Sequence, residues 1–255
     1  MKIEKFTKLK DNRYKILFDD EQVITLYDDV IVKYNLLVNK VMDNNKFKEV
    51  TEYNDSLDAY YKSIKYINRK MRSKKEIIKY LEKDFDNKVV NTTVKKLEHD
   101  GYLNEDVFIK AYINDQVNLS LNGPHKIIKE LNKLGIDEDK IYSELNKIDE
   151  DVWISRVTKL VNKRVKSNHN YSYNKLKDKI INDLINLGYK KDIIIEVLDD
   201  TDIVIDSSLV TKEGNKIYNK LVKKYSGSEL VYYFKNKMYL KGFSGEEVEE
   251  FLKGK

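Results

Sequence analysis

One register recurs four times along this chain, and it limits the possible fold more than any other feature. An apolar residue is followed, four positions on, by a turn residue and then at once by a large apolar residue, with a β-branched residue five positions further. The four sets are Tyr80–Asp84–Phe85–Val90, Leu131–Gly135–Ile136–Ile141, Leu184–Gly188–Tyr189–Ile194 and Met238–Gly242–Phe243–Val248. Their turn positions lie 51, 53 and 54 residues apart. A period of this size is the signature of a tandem array of helical units, each contacting its neighbours.

Composition agrees with helices. The 255 residues include one proline and nine glycines, too few turn-formers for an all-β sandwich. That proline, Pro124, follows Gly123 and suits the first position of a helix, where a missing N–H costs nothing. Ile127, Ile128, Leu131 and Leu134 then share an inner face. Gly135 ends the helix, and "DEDKIYSEL" opens the next with acids at its positive end. Gly135 and Gly188 are therefore expected to be left-handed terminators. Asp84 is expected to take the same turn, since Asp visits that region better than most residues.

A leading helix precedes each pair, at roughly 57–71, 105–120, 151–167 and 213–225. The expected fold is mainly α, with tandem three-helix repeats at 56–103, 104–149, 150–200 and 210–255. An elongated curved array should exceed the radius of gyration of roughly 18 Å of a compact chain this long. Residues 1 to 50 differ from the rest. "KIEKFTKLK", "RYKILF" and "VITLY" read as a three-stranded meander, "DDVIVKYNLLVNKVM" as a short helix and a further strand, and "DNNKFKEVTEYND" as a polar linker.

The leading helices carry basic residues at helical spacing. Lys62, Lys65, Arg69 and Arg72 form one stripe, and Arg156, Lys159, Lys163 and Lys166, with Arg164 beside them, form another. No acid occurs between Asp58 and Glu76 or from Val152 to Lys177. Lys216, Lys220 and Lys223 repeat the pattern more weakly. The net charge of +5 is too balanced to imply a polyanionic partner by itself, so placement decides. Exposed binding surface is the reading adopted for these stripes, against solvated helix faces.

Other chemistry is thinly represented. The third helices of the units are acidic, which argues against their reading a DNA major groove. Phosphate-cradling glycine loops are absent. His99, His125 and His169 lack metal-ligand spacing, and "LDDTDIVIDSS" reads as an acidic loop rather than a cation site. Most of the 19 tyrosines fall at core spacing. No catalytic residue, cofactor or metal is assigned. A chain without cysteine fits a reducing cytosol, and no apolar run is long enough to span a membrane.

Three blocks resemble the RecX family of bacterial RecA regulators. "YINRKMRSKKEIIKYL" (66–81) is similar to its Tyr-Leu-x-x-Arg-x-Arg-Ser-x-x-Glu-Leu stretch, and "KKLEHDGYLNEDVFIKAYI" (95–113) to its Leu-x-x-x-Gly-Tyr-Leu-x-Asp-x-x-Phe-Ala block. Ile109 replaces the alanine and Glu105 the acid usually found as Asp. "GPHKIIKELNKLGI" (123–136) is similar to the Gly-Pro-x-x-Ile-x-x-Glu-Leu-x-x-x-Gly-Ile block, and the meander with "VIVKYNL" (30–36) to the extension of longer members. The last unit carries no family motif. The resemblance implies a cytoplasmic, non-enzymatic protein of stacked three-helix units; separately, the chain is expected to be a monomer. It would bind RecA and the RecA filament on single-stranded DNA, lie in the filament groove, and damp recombinase, ATPase and SOS coprotease activity. The basic stripes would meet RecA carboxylates, DNA phosphates, or both. The alternative is a helical repeat that binds nucleic acid non-specifically without RecA; a scaffold from another pathway is a third reading.

Overall fold

The computed structural model describes residues 1–168, 171–204, 206 and 208–255. His169 lies outside the described residues. The chain divides into two compact units, one of residues 1–112 and 131–140, the other of residues 113–130 and 141–255.

The first unit opens with the expected meander: β1 (Ile3–Lys8), β2 (Arg13–Phe18) and β3 (Val23–Tyr27), antiparallel in the order β1-β2-β3. Asp11 and Asn12 turn the first hairpin with φ of 58° and 55°, the two consecutive left-handed residues that match strand twist. α1 (Asp28–Lys33) follows, and the chain then returns beside β1. There Lys2 bridges Val41, and Ile3 N–H donates to Lys40 O. Ile3, Ile16, Phe18, Leu26, Val30 and Met42 close a core against Val50 and Leu57.

Those last two belong to α2 (Asn44–Ile67), which corrects the linker reading of "DNNKFKEVTEYND". Asp43 caps α2 by accepting from Lys46 N–H, and Phe47, Val50, Tyr53 and Leu57 give the segment a helical apolar face against the sheet. The polar residues between them are its outer face. The second half of α2 packs on α3 (Lys74–Leu81) and α4 (Asn87–His99) around Ala59, Ile77, Leu81, Val90, Val94 and Leu97. Ser73 and Glu76 form a capping box at the start of α3.

α5 (Glu105–Leu119), α6 (Pro124–Lys133) and α7 (Glu138–Leu145) form the second repeat, and the division between the units falls within each. The second unit also holds α8 (Glu150–Lys166), α9 (Tyr173–Asn186) and α10 (Lys191–Asp199), then α11 (Ser208–Leu221), α12 (Gly227–Leu240) and α13 (Gly245–Lys253). Val157, Val161, Ile180, Leu184 and Ile194 are fully buried in the first triplet. Leu221, Phe234, Met238 and Val248 are buried in the second.

The turn register is borne out at its three glycines. Gly135, Gly188 and Gly242 have φ of 81°, 91° and 81°. In each case the next N–H reaches back five residues, Ile136 to Leu131 O, Tyr189 to Leu184 O and Phe243 to Met238 O, the bond of a Schellman ending. Asp84 departs from the expectation: it is not among the residues with positive φ, and Phe85 N–H bonds Leu81 O four residues back. The first repeat makes this turn without a positive φ.

The same junction is built at three places. Lys75 Nζ donates to Lys133 O near Gly135, within the first unit. In the second unit, Gly123 N–H donates to Leu187 O (2.7 Å) and His125 N–H to Gly188 O (3.0 Å). There also the buried Ser172 hydroxyl donates to Lys241 O (2.7 Å), beside Gly242. A second helix thus begins where the second helix of the following repeat ends, matching free N–H or side-chain donors to free carbonyls. Pro124 lies between the two donating N–H groups of its junction, at the position where its own missing donor leaves no gap.

Candidate functional site

The first basic stripe does not survive as a stripe. α2 ends at Ile67, and residues 68–73 are non-helical, so Arg69 and Arg72 lie beyond the helix that carries Lys62 and Lys65. Lys62 is half-buried, with its ammonium 3.1 Å from Asp58 and 3.3 Å from Asp84. Burial disfavours its charge, but the two carboxylates outweigh that and raise its pKa. Asp84 is distant in sequence, which is why an acid-free run could not reveal the pair. Lys65 and Arg69 are exposed and make no ion pair among the described residues.

Arg72 is turned inward. Its guanidinium sits 3.0 Å from Glu76 and 4.0 Å from the centroid of Tyr66, which stacks on Tyr80 at 4.3 Å. Beside Lys65 lies a cavity of 540 Å³ whose lining includes Arg13, Tyr27, Asp58 and Tyr61. The Tyr27 hydroxyl donates to Asp58 (2.8 Å) and the Tyr61 hydroxyl to Asp29 (2.7 Å). Burial, then Asp58, pushes the Tyr27 pKa well above the usual phenol range. The Asp29 bond, then burial, pushes Tyr61 up to about 12.

In the second unit the basic residues of α8 separate into two groups. Lys159, Lys163 and Lys166 are exposed, spaced four and three residues apart on one face, and make no ion pair among the described residues. Arg164 is half-buried against α9, with Nε 3.3 Å from Asp183. Arg156 departs from the expectation of exposure. Its guanidinium donates to Val117 O, Ser120 O and Asn122 O, and its Nε to the Tyr189 hydroxyl at 3.2 Å. Val117 and Ser120 lie at the end of α5, where carbonyls lack helical partners, so Arg156 is a C-terminal cap supplied from another helix. Nothing in its spacing distinguished it from Lys159.

The lysines of the fourth repeat also separate into paired and free ones. Lys216, Lys235 and Lys241 are paired with Glu213, Glu249 and Glu213. Lys223, Lys224 and Lys237 are exposed and unpaired among the described residues. Lys220 is likewise exposed and unpaired, but Lys223 lies past the end of α11, so the weaker stripe is also broken. Among the described residues no three His, Asp or Glu side chains are grouped to hold a metal ion, and no helix is long and apolar enough to cross a membrane.

Comparison with known proteins covers this whole architecture. Residues 59–97, from the second half of α2 through most of α4, match the family model for the first three-helix domain of RecX. The regulatory protein RecX of Bacillus cytotoxicus is 28% identical over 264 aligned positions, covering 100% of this chain and 96% of that protein. The RecX of Streptococcus agalactiae is 27% identical, with 99% of each chain covered. The chain is similar from end to end to proteins of the RecX family. Two RecX crystal structures share its fold. One has a TM-score of 0.64 at 22% identity over 78% of this chain and 98% of its own. The other, from Lactobacillus salivarius, has a TM-score of 0.54 at 23% identity over 59% of this chain and 98% of its own.

Proposed function

We propose that this chain regulates the RecA recombinase by binding the RecA filament on single-stranded DNA and restraining it, with no reaction of its own. The reading is carried by end-to-end similarity to proteins named regulatory protein RecX, which extends over all the repeats and the β-rich extension. The exposed lysines of α8 support it physically. Three unpaired ammonium groups on one face suit a polyanionic or acidic partner, whereas Lys62, Arg72, Arg156 and Arg164 are already engaged by acids or carbonyls within the fold.

Binding of the purified chain to RecA filaments at several salt concentrations tests this. Replacing Lys159, Lys163 and Lys166 by Gln should weaken binding at least tenfold. If they meet single-stranded DNA phosphates, each lost contact should flatten the log-affinity against log-salt slope by about 0.7. Lys140→Gln with Lys147→Gln should change little, because Lys140 is held by Glu105 (2.6 Å) and Lys147 by Glu144. Equal losses from both sets would show that bulk charge governs binding. A loss that persists on DNA-free RecA would place the α8 lysines against RecA carboxylates. No binding of the parent chain to RecA would end the reading.

A further inference from the structure

α12 buries Leu230, Phe234 and Met238, the spacing of one helical face. Tyr232 and Tyr233 fall outside that face, 63% and 37% exposed. Tyr225, in the turn before α12, lies against Tyr233 with centroids 4.3 Å apart and planes at 31°. Tyr232 meets Tyr233 edge-on at 5.5 Å. The turn holding Tyr225 is fixed, since Lys224 and Tyr225 N–H both donate to Leu221 O (2.8 and 2.9 Å). Three phenols thus form a ledge at the α11–α12 corner, and the most exposed ring has a free face.

The free charge around this ledge is mainly cationic. Lys223 and Lys224 directly precede Tyr225, and Lys237 follows Tyr233 by one helical turn; all three are exposed and unpaired among the described residues. Every other lysine on α12 and at its C-cap is neutralised by a glutamate. Glu229, one turn before Tyr233, is the acid nearest in sequence on this helix. Aromatic faces flanked by free cations suit bases stacked beside a phosphate backbone, and a duplex has no unstacked base to offer.

We propose that Tyr225, Tyr232 and Tyr233, with Lys223, Lys224 and Lys237, form a single-stranded nucleic acid platform on the fourth repeat. Bases stack on the exposed ring of Tyr232, and the lysines neutralise phosphates. The platform does not depend on RecA, so it is tested without it, and failure here leaves the proposed regulatory role untouched.

Fluorescence anisotropy of a labelled twelve-residue oligothymidylate with the full chain provides the test. Tyr232→Ala should weaken binding about tenfold with an unchanged salt slope, and Tyr232→Phe should restore it, as expected for stacking. Lys223→Gln with Lys224→Gln should flatten the slope by about 1.4, two single-strand contacts. Glu229→Gln should tighten binding. Tyr232 is exposed, and circular dichroism verifies that each variant is folded. A twelve-residue abasic strand or a duplex binding as tightly as the oligothymidylate, or Tyr232→Ala binding like the parent, would overturn the platform.

Discussion

Arg156 shows what a single side chain can do when its chemistry is used inward. A guanidinium offers five donors in a rigid plane, and here they serve three carbonyls and one phenol at the end of α5 and the start of the Gly123–Pro124 turn. Arg156→Ala should lower stability by about 2–3 kcal/mol in urea unfolding, since it strands half-buried carbonyls. Arg156→Lys should recover little, because an ammonium is a point donor that cannot span the fork. Lys159→Ala, one turn along, should be near neutral. Equal effects at 156 and 159 would mean that the clamp contributes nothing. From sequence the two positions were indistinguishable: both are basic and both sit on the same leading helix. What separates them is a partner about forty residues upstream, and long-range contacts of that kind leave no local periodicity.

At the level of elements, the turn register was legible because left-handed backbone strongly favours glycine, and glycine is scarce here. The close approach at Gly188 was not legible. A Cβ on Gly188 would lie 2.4 Å from Lys126 N, and one on Gly123 2.7 Å from the backbone of Gly188, so the two glycines let one helix end meet another. Gly227 has φ of 56° with nothing within 4 Å of an added Cβ. Gly227→Ala should therefore lose only the left-handed penalty of about 1–2 kcal/mol. Gly188→Ala should lose clearly more in thermal or urea melts, because the backbone of Lys126 must move. Matching losses would mean that the junction is loose. The α2 boundary was misread for a related reason: polar residues dominate 43–55, and only the sheet they pack against shows that Phe47, Val50 and Tyr53 are a buried face.

Over the whole molecule, ionisation is distributed unevenly between the two units. The first holds Tyr27, Tyr60 and Tyr61, whose pKa values are all raised, with Lys62 shifted the same way. The second holds the raised Lys177 and Lys235 and the lowered Glu213. A phenol whose folded pKa exceeds the unfolded value of about 10 contributes stability that is complete below pH 10 and lost as pH rises toward its folded value, about 12 for Tyr61. The first unit should therefore weaken first between pH 10 and 12. The chain's one tryptophan, Trp153, lies in the second unit. Its fluorescence should report a later transition than circular dichroism, which sees both units. Tyr27→Phe with Tyr61→Phe should reduce the difference in this window. A coincident transition at all pH values would refute the assignment.

The bond from His125 N–H to Gly188 O has a consequence for the order in which the chain is made. The ribosome releases the first turn of α6 well before the residues that complete it. At roughly 5–20 residues per second, the about sixty residues between them take some 3–12 seconds to emerge. Throughout that interval the N–H groups of Gly123 and His125 are left to water, while Pro124 between them has none to expose. The proline holds the backbone bend by its ring alone, so the helix start is shaped before its partner exists. A nascent chain of repeats built this way matures in order from its N-terminal end but always one repeat behind synthesis, each second helix being finished only by the repeat translated after it.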